Sequence, residues 1–153
     1  MSSYVGIDIS KAFFDVALPG PGKYRHLRFS NDESGFKQLY EALKLLQAHC
    51  IMEASGPYYL RLANYLYEKQ ILVSVVNPLS IRRFCQMRLT RAKTDKKDAV
   101  MIAEYGKTEH PGLWEPESAH LLELQQLQMV ARGLERTLHQ YQRQLEALQQ
   151  APQ

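Results

Sequence analysis

Two aspartates, Asp95 and Asp98, stand three residues apart in the run RAKTDKKDAV, among the bases Arg91, Lys93, Lys96 and Lys97. On a helix that spacing puts both carboxylates on one face. Asp8 interrupts the apolar stretch VGIDIS and, if that stretch is a strand, shares a face with Gly6 and Ser10. A carboxylate there is costly to bury unless it is hydrogen-bonded, paired or bound to metal. Glu53 closes the apolar part of IMEAS, at the carboxyl edge where α/β proteins usually build their sites. Brought together, four carboxylates repel one another. Mg²⁺, with Mn²⁺ as a substitute, takes hard oxygen ligands from a few carboxylates, water and substrate phosphate. Two such ions clamp the attacking and leaving oxygens of a phosphoryl displacement. In this reading Asp8, Glu53, Asp95 and Asp98 are both the metal ligands and the catalytic residues.

Each acid also has a plain reading. Asp8 fits a satisfied turn residue, and Glu53 fits a group serving the start of the helix led by Pro57. Thr94 and Asp95 with Asp98 fit a helix cap plus first-turn acids, stabilised through the macrodipole by about 0.3–1 kcal/mol each. Taken singly, the cap is the favoured reading of that segment. What it leaves unexplained is the combination: acids at matching ends of two core strands, and an acid pair in a basic segment.

The bases supply the second half of the chemistry. The chain carries a formal charge of +3, yet Arg82, Arg83, Arg88, Arg91, Lys93, Lys96 and Lys97 crowd into one window with Asp95 as the only acid. That window is strongly positive and the rest of the chain is mildly negative. A basic patch on an acidic body is a common footprint for a phosphate backbone, so these seven are the candidate nucleic-acid contacts. On charge alone a solvated helix face competes evenly.

Cys50 and Cys85 are isolated, which suits a reducing, cytoplasmic setting. His26, His49, His110, His120 and His139 show no ligand spacing and read as surface or core residues, not a zinc site. MSSYVGIDIS has no basic-then-apolar leader pattern, and no apolar run approaches membrane-spanning length, so no membrane partner is expected.

The positioning elements follow from periodicity. With 45% hydrophobic and 23% charged residues, the 153-residue chain has globular composition and the length of one domain plus an appendage. Tyr4 to Ile9, Ala12 to Leu18 and Lys23 to Phe29 read as three strands with short connections, the last strictly alternating, and hence as an antiparallel meander. Ser30 and Glu33 have capping-box spacing ahead of the stripe Phe36, Leu39, Tyr40, Leu43 and Leu46, which predicts a helix. A short strand at Cys50 to Met52 follows, then a helix opened by Pro57 with Tyr59, Leu62, Ala63 and Leu66 inward. The run ILVSVV (71–76) reads as a strand covered on both faces, closed by Asn77-Pro78. A meander feeding two crossover units gives an α/β architecture, a mixed five-stranded sheet with flanking helices.

The last third differs. Leu124, Leu127, Ala131, Leu134, Leu138, Tyr141, Leu145 and Leu148 keep three- and four-residue steps, a heptad seam that reads as a long coiled-coil helix. Such a seam needs a partner, either a second copy or a region outside these residues on which it folds back. The expected division is residues 1–110 as the α/β domain and 111–153 as the coiled-coil segment.

GIDISK, MEASGPY, NP and AKTDKKDA, in that order, strongly resemble the amino-terminal domain of DEDD transposases of the insertion-sequence 110 family, to which pilin-gene invertases belong. AKTDKKDA is the most specific of these motifs, since sugar kinases and actin-like ATPases share strands like GIDISK. The resemblance implies a RuvC-like, ribonuclease-H-like fold over roughly residues 4–107, with the four DEDD acids at Asp8, Glu53, Asp95 and Asp98. It implies cutting and rejoining of element ends with target DNA, guidance by a structured RNA, and homodimers or homotetramers as the working unit. It also implies a carboxy-terminal domain bearing a serine nucleophile, so the chain reads as a fragment inactive in recombination by itself. None of Ser10, Ser55, Ser74, Ser80 or Ser118 is assigned that role. Two alternatives stay open: a stand-alone Mg-dependent nuclease for branched DNA, and a non-catalytic oligomerisation module whose acids are only caps.

Overall fold

In the computed structural model, residues 2–88 and 95–152 are described, apart from the side chains of residues 95–97 and 120. The chain divides into two compact units, 1–116 and 117–153.

The first unit is built on the expected meander. Strands β1 (Ser3–Ile9), β2 (Phe13–Pro19) and β3 (Tyr24–Ser30) pair antiparallel in sequence order. Helix α1 (Glu33–Leu43) then carries the chain back to β4 (Ala48–Glu53), parallel to β1 on its other side. A 3-10 turn at Pro57–Tyr59 and helix α2 (Leu60–Glu68) lead to β5 (Leu72–Val76), parallel to β4. The order across the sheet is β3-β2-β1-β4-β5. Helix α3 (Pro78–Met87) and helix α4 (Asp95–Glu109) complete the unit.

Period-two alternation sorts the strand residues into two layers. Val5, Ile7, Phe14, Val16, Leu18, Cys50 and Met52 face one way and bury against Phe36, Leu39 and Leu43 of α1 and Leu62 and Leu66 of α2. A Leu→Ala change at fully buried Leu39 would cost about 2–5 kcal/mol. The opposite face meets α3 and α4: Ile51 and Val76 pack with Ile81 and Ile102, and Ala17 packs with Ala99 and Ala103.

One local expectation is corrected. The cap of α1 is Asp32, whose carboxylate accepts from the Gly35 amide at 2.9 Å, and Ser30 instead donates its hydroxyl to Asp32. These bonds, the backbone one foremost, hold the Asp32 carboxyl below its usual range. Strand β5 is covered on both faces as expected, with Val73 buried on one and Ser74 and Val76 on the other, although it is the sheet's last strand and Leu72 at its start is 43% exposed. Beside it the backbone amide of Trp114 donates to the Val73 carbonyl at 2.7 Å, which keeps residues 111–116 with the sheet.

The second unit is α5 (Ala119–Gln150), capped by the Ser118 hydroxyl accepting from the Leu121 amide. All the apolar seam positions expected from the heptad pattern lie within it. No helix among the described residues is long and apolar enough to cross a membrane.

Candidate active site

Registers place the site. On β1 and β2, Gly6 pairs with Ala17 and Asp8 pairs with Asp15; on β2 and β3, Asp15 pairs with Arg28. On β1 and β4, Gly6 pairs with Ile51 and Ile7 with Met52, so Glu53 is the next residue level with Asp8. Residues directly opposite in a ladder point to the same face. Arg28, Asp15, Asp8 and Glu53 therefore form one transverse row across β3, β2, β1 and β4, on the α4 side. Asp8 and Glu53 are partly buried.

Small residues let α4 lie on this face. A Cβ on Gly6 would stand 1.8 Å from the Ala99 carbonyl oxygen and 2.6 Å from the Ala103 nitrogen. A Cβ on Gly106 would stand 2.3 Å from Ile51 Cγ1. Near the start of β1, the Tyr4 hydroxyl meets His110 Nδ1 at 2.8 Å. Helix α4 thus runs antiparallel to β1, from His110 beside Tyr4, past Ala99 and Ala103 above Gly6, toward Asp8. The helix begins at Asp95, and Asp98 is partly buried in its first turn. The first turn of α4 and the carboxyl ends of β1 and β4 consequently occupy the same edge of the sheet. The Asp95 side chain lies outside the described residues.

The row contains a third acid, Asp15, that periodicity alone did not single out. Asp15 is only 5% exposed. One of its oxygens accepts from Arg28 Nε at 2.9 Å and from His26 Nε2 at 2.7 Å; the other accepts from Arg28 Nη2 at 3.1 Å. The bidentate pair is the geometry that makes Arg–carboxylate contacts strong. Arg28 also lies 4.9 Å over the ring of Phe13, itself 44% exposed. The signal was present in the sequence: FFDVAL is an apolar strand broken by one carboxylate, as VGIDIS is.

The basic window is only partly on view. Arg82 and Arg83 are exposed within the first two turns of α3, which starts at the edge where β4 and β5 end. Arg88 stacks on Phe84 at 4.8 Å, lies 3.7 Å from the Glu104 carboxylate and reaches the Thr108 hydroxyl at 3.4 Å, so its guanidinium helps join α3 to α4. Glu104 also accepts from the Tyr24 hydroxyl at 2.7 Å. Burial first, then that bond, raises Tyr24 well above the usual phenol range. Arg91 and Lys93 lie outside the described residues, as do the side chains of Lys96 and Lys97.

The cysteines and histidines form no second centre among the described residues. Burial pushes the Cys50 thiol up to about 12, which leaves it unreactive as a nucleophile. No group of three or more His, Cys, Asp or Glu residues is placed to hold a metal among the described residues. The donor chemistry at this edge still suits a hard divalent ion. Asp8, Glu53 and Asp98 offer only carboxylate oxygen, at one edge, beside the helix that also begins with Asp95.

A family model of DEDD transposases of the insertion-sequence 110 type, described as a transposase, matches residues 5–151. Pilin gene-inverting proteins of Moraxella bovis and Moraxella lacunata are each 36% identical over 130 residues, covering 80% of this chain and 39% of theirs. The chain therefore spans about two-fifths of the length of those curated relatives. Among solved structures, T. thermophilus RuvC in complex with a Holliday junction substrate superposes with a TM-score of 0.51 at 11% identity, covering 72% of this chain and 98% of RuvC. The Thermus thermophilus RuvC structure gives 0.50 at 10% identity, with the same coverage. At such identities the likeness is one of fold, and it agrees with the mixed five-stranded sheet and its flanking helices.

Proposed function

The chain belongs to the DEDD transposase family of the insertion-sequence 110 type, and from that premise we propose that its α/β unit is the metal-binding catalytic domain of a DNA recombinase. Asp8, Glu53, Asp95 and Asp98 would hold Mg²⁺ or Mn²⁺. When bound, that metal supplies charge neutralisation at a phosphodiester and activation of the attacking oxygen. The observation that carries this reading is the shared edge: Asp8 and Glu53 on one face, level with each other, beside the first turn of α4. These carboxylates would orient the metal and the scissile phosphate, while Arg82, Arg83 and Arg88, with Arg91, Lys93, Lys96 and Lys97, would neutralise the nucleic-acid backbone.

The family resemblance adds a structured guide RNA, assembly into dimers or tetramers through α5, and a cytoplasmic location. It assigns the covalent nucleophile to a serine in another domain, so the acids here position and activate, and rejoining is not expected from these residues alone.

Two measurements test this. Calorimetric titration with Mn²⁺ should give weak binding that Asp8→Asn removes, because part of the coordination normally comes from substrate phosphate. Equal binding by both proteins would reject the site. Incubation with branched DNA and Mg²⁺ separates the recombinase domain from a stand-alone nuclease, since only the latter cleaves with this chain alone. Full function retained by Asp98→Ala in the complete recombinase would instead favour an oligomerisation module.

A further inference from the structure

We infer that Arg28, set in place by Asp15, is a substrate contact: a positioning arm that grips the DNA backbone at the β3 end of the acid row. The inference rests on the catalytic reading above and names a residue pair which that reading does not use. Three observations carry it. The registers Asp8↔Asp15 and Asp15↔Arg28 put the guanidinium in the same transverse row and on the same face as the candidate catalytic acids. The guanidinium is fixed from the side by a bidentate bond to a nearly buried carboxylate and from below by Phe13, yet the side chain remains 46% exposed. Asp15 in turn is committed to Arg28 and His26, which suits it to hold the arm and not a metal ion.

A surface arginine normally loses rotamer freedom when it grips a phosphate. One already locked by a carboxylate and a ring has lost it during folding, so contact with a phosphate oxygen then costs less order. The planar fork also presents donors in a fixed plane, which lysine cannot reproduce. On the opposite flank the exposed Arg82 and Arg83 begin near the β4–β5 end of the same edge. A phosphate backbone crossing the row would thus meet positive charge on both sides of the carboxylates.

The test is binding of a fluorescein-labelled DNA duplex to the full chain in EDTA, followed by anisotropy over a range of salt concentrations. Without metal, the acids' role in chemistry is silent and only backbone contacts are read. Arg28→Gln should flatten the slope of log affinity against log salt by about 0.9, the loss of one phosphate contact. Asp15→Asn gives the sharper discrimination. It removes a negative charge beside a polyanion, so electrostatics alone would tighten binding, whereas loss of the clamp weakens it. Thermal unfolding of both variants establishes that they are folded, and Arg28→Gln, at a half-exposed position, serves where Asp15→Asn does not fold. Weakened binding by Asp15→Asn with an unchanged fold, or a flattened slope with Arg28→Gln, supports the arm. An unchanged slope with Arg28→Gln overturns it, and leaves the metal reading standing if Mn²⁺ titration still depends on Asp8. A parent chain that binds no duplex overturns it together with the DNA-binding part of that reading.

Discussion

Asp8 and Asp15 stand directly opposite each other across the β1–β2 ladder, two carboxylates on one face of a sheet. Like charges so placed are destabilising, with Cβ atoms about 4.5–5.5 Å apart. The fold offsets this on the β2 side, where Arg28 and His26 hold the Asp15 carboxylate. Arg28→Ala should therefore lower the unfolding free energy by about 1–3 kcal/mol, the range for a buried polar group that loses its main partner. The figure falls below that of a fully buried ion pair because Arg28 is half exposed. Arg25→Ala, exposed on the other face of β3, should change stability by no more than about 0.5 kcal/mol. Urea unfolding of the two variants makes the comparison; equal effects would show that Asp15 does not depend on Arg28.

Gly6 is a point of close contact between β1 and α4, and adding one methyl group there tests how the site is assembled. A Cβ on Gly6 would stand 1.8 Å from the Ala99 backbone oxygen, so there is no room for it, and the obstacle is backbone, not a flexible side chain. Gly6→Ala must push α4 off β1 and carry Asp98 away from Asp8. A loss of at least about 1–3 kcal/mol is expected, as for overpacking elsewhere in cores. Mn²⁺ affinity should fall along with the melting temperature. A variant that melts like the parent would mean that α4 is not held against β1 in solution.

His49 gives the first unit a pH-dependent stability. Its Nε2–H donates to the Ser74 hydroxyl at 2.7 Å, and that hydroxyl donates onward to the Pro111 carbonyl at 3.1 Å. Tyr4 packs against the ring, with its hydroxyl on His110. Burial first, and then the nearby His110, lower the pKa of His49 from its ordinary value of 6.5. The unfolded chain then binds more protons in that range than the folded one, so stability is complete above pH 6.5 and declines as the pH falls through the folded value. Asp32, also lowered, contributes in the same direction but only below its ordinary 3.8. Urea unfolding at pH 7.5 and 5.5 should show a loss for the parent that is smaller in His49→Gln. The same loss in both would place the titration elsewhere.

Much of this was legible because burial and periodicity agree along the strands. The meander and both crossovers follow from alternation, and the inward residues of α1 and α2 from three- and four-residue steps. The capping box misled because Asp32, two residues beyond Ser30, offers the better-placed acceptor for the Gly35 amide. The run ILVSVV announced a strand covered on both faces, and it is one, although it lies at the end of the sheet, where a later segment at Trp114 joins it. Asp15 was overlooked for a different reason. Its role depends on cross-strand register with Asp8 and Arg28, which no local spacing encodes. The strand positions of Asp8 and Glu53 stood out locally, because Asp8 interrupts one apolar strand and Glu53 closes another.

Helix α5 carries the last expectation. Leu124, Leu127, Leu134, Leu138, Tyr141, Leu145 and Leu148 lie along it at heptad-like steps and are 52–73% exposed in a single copy. Exposed apolar surface costs about 25 cal/mol per Å², so a continuous stripe of this length favours pairing with a second helix. Gly133, beside the seam, meets nothing within 4 Å of a built Cβ. Gly133→Ala should therefore strengthen the helix by about 1 kcal/mol without a clash. Sedimentation of the parent should show dimers or larger assemblies that grow with concentration, and Gly133→Ala should shift the balance further toward them. Leu134→Asp combined with Leu138→Asp places two charges in the middle of the seam and should return the chain to monomer, while the first unit keeps its melting transition. A parent that stays monomeric at high concentration would mean that the stripe does not pair between copies, and assembly would then have to be sought on another surface.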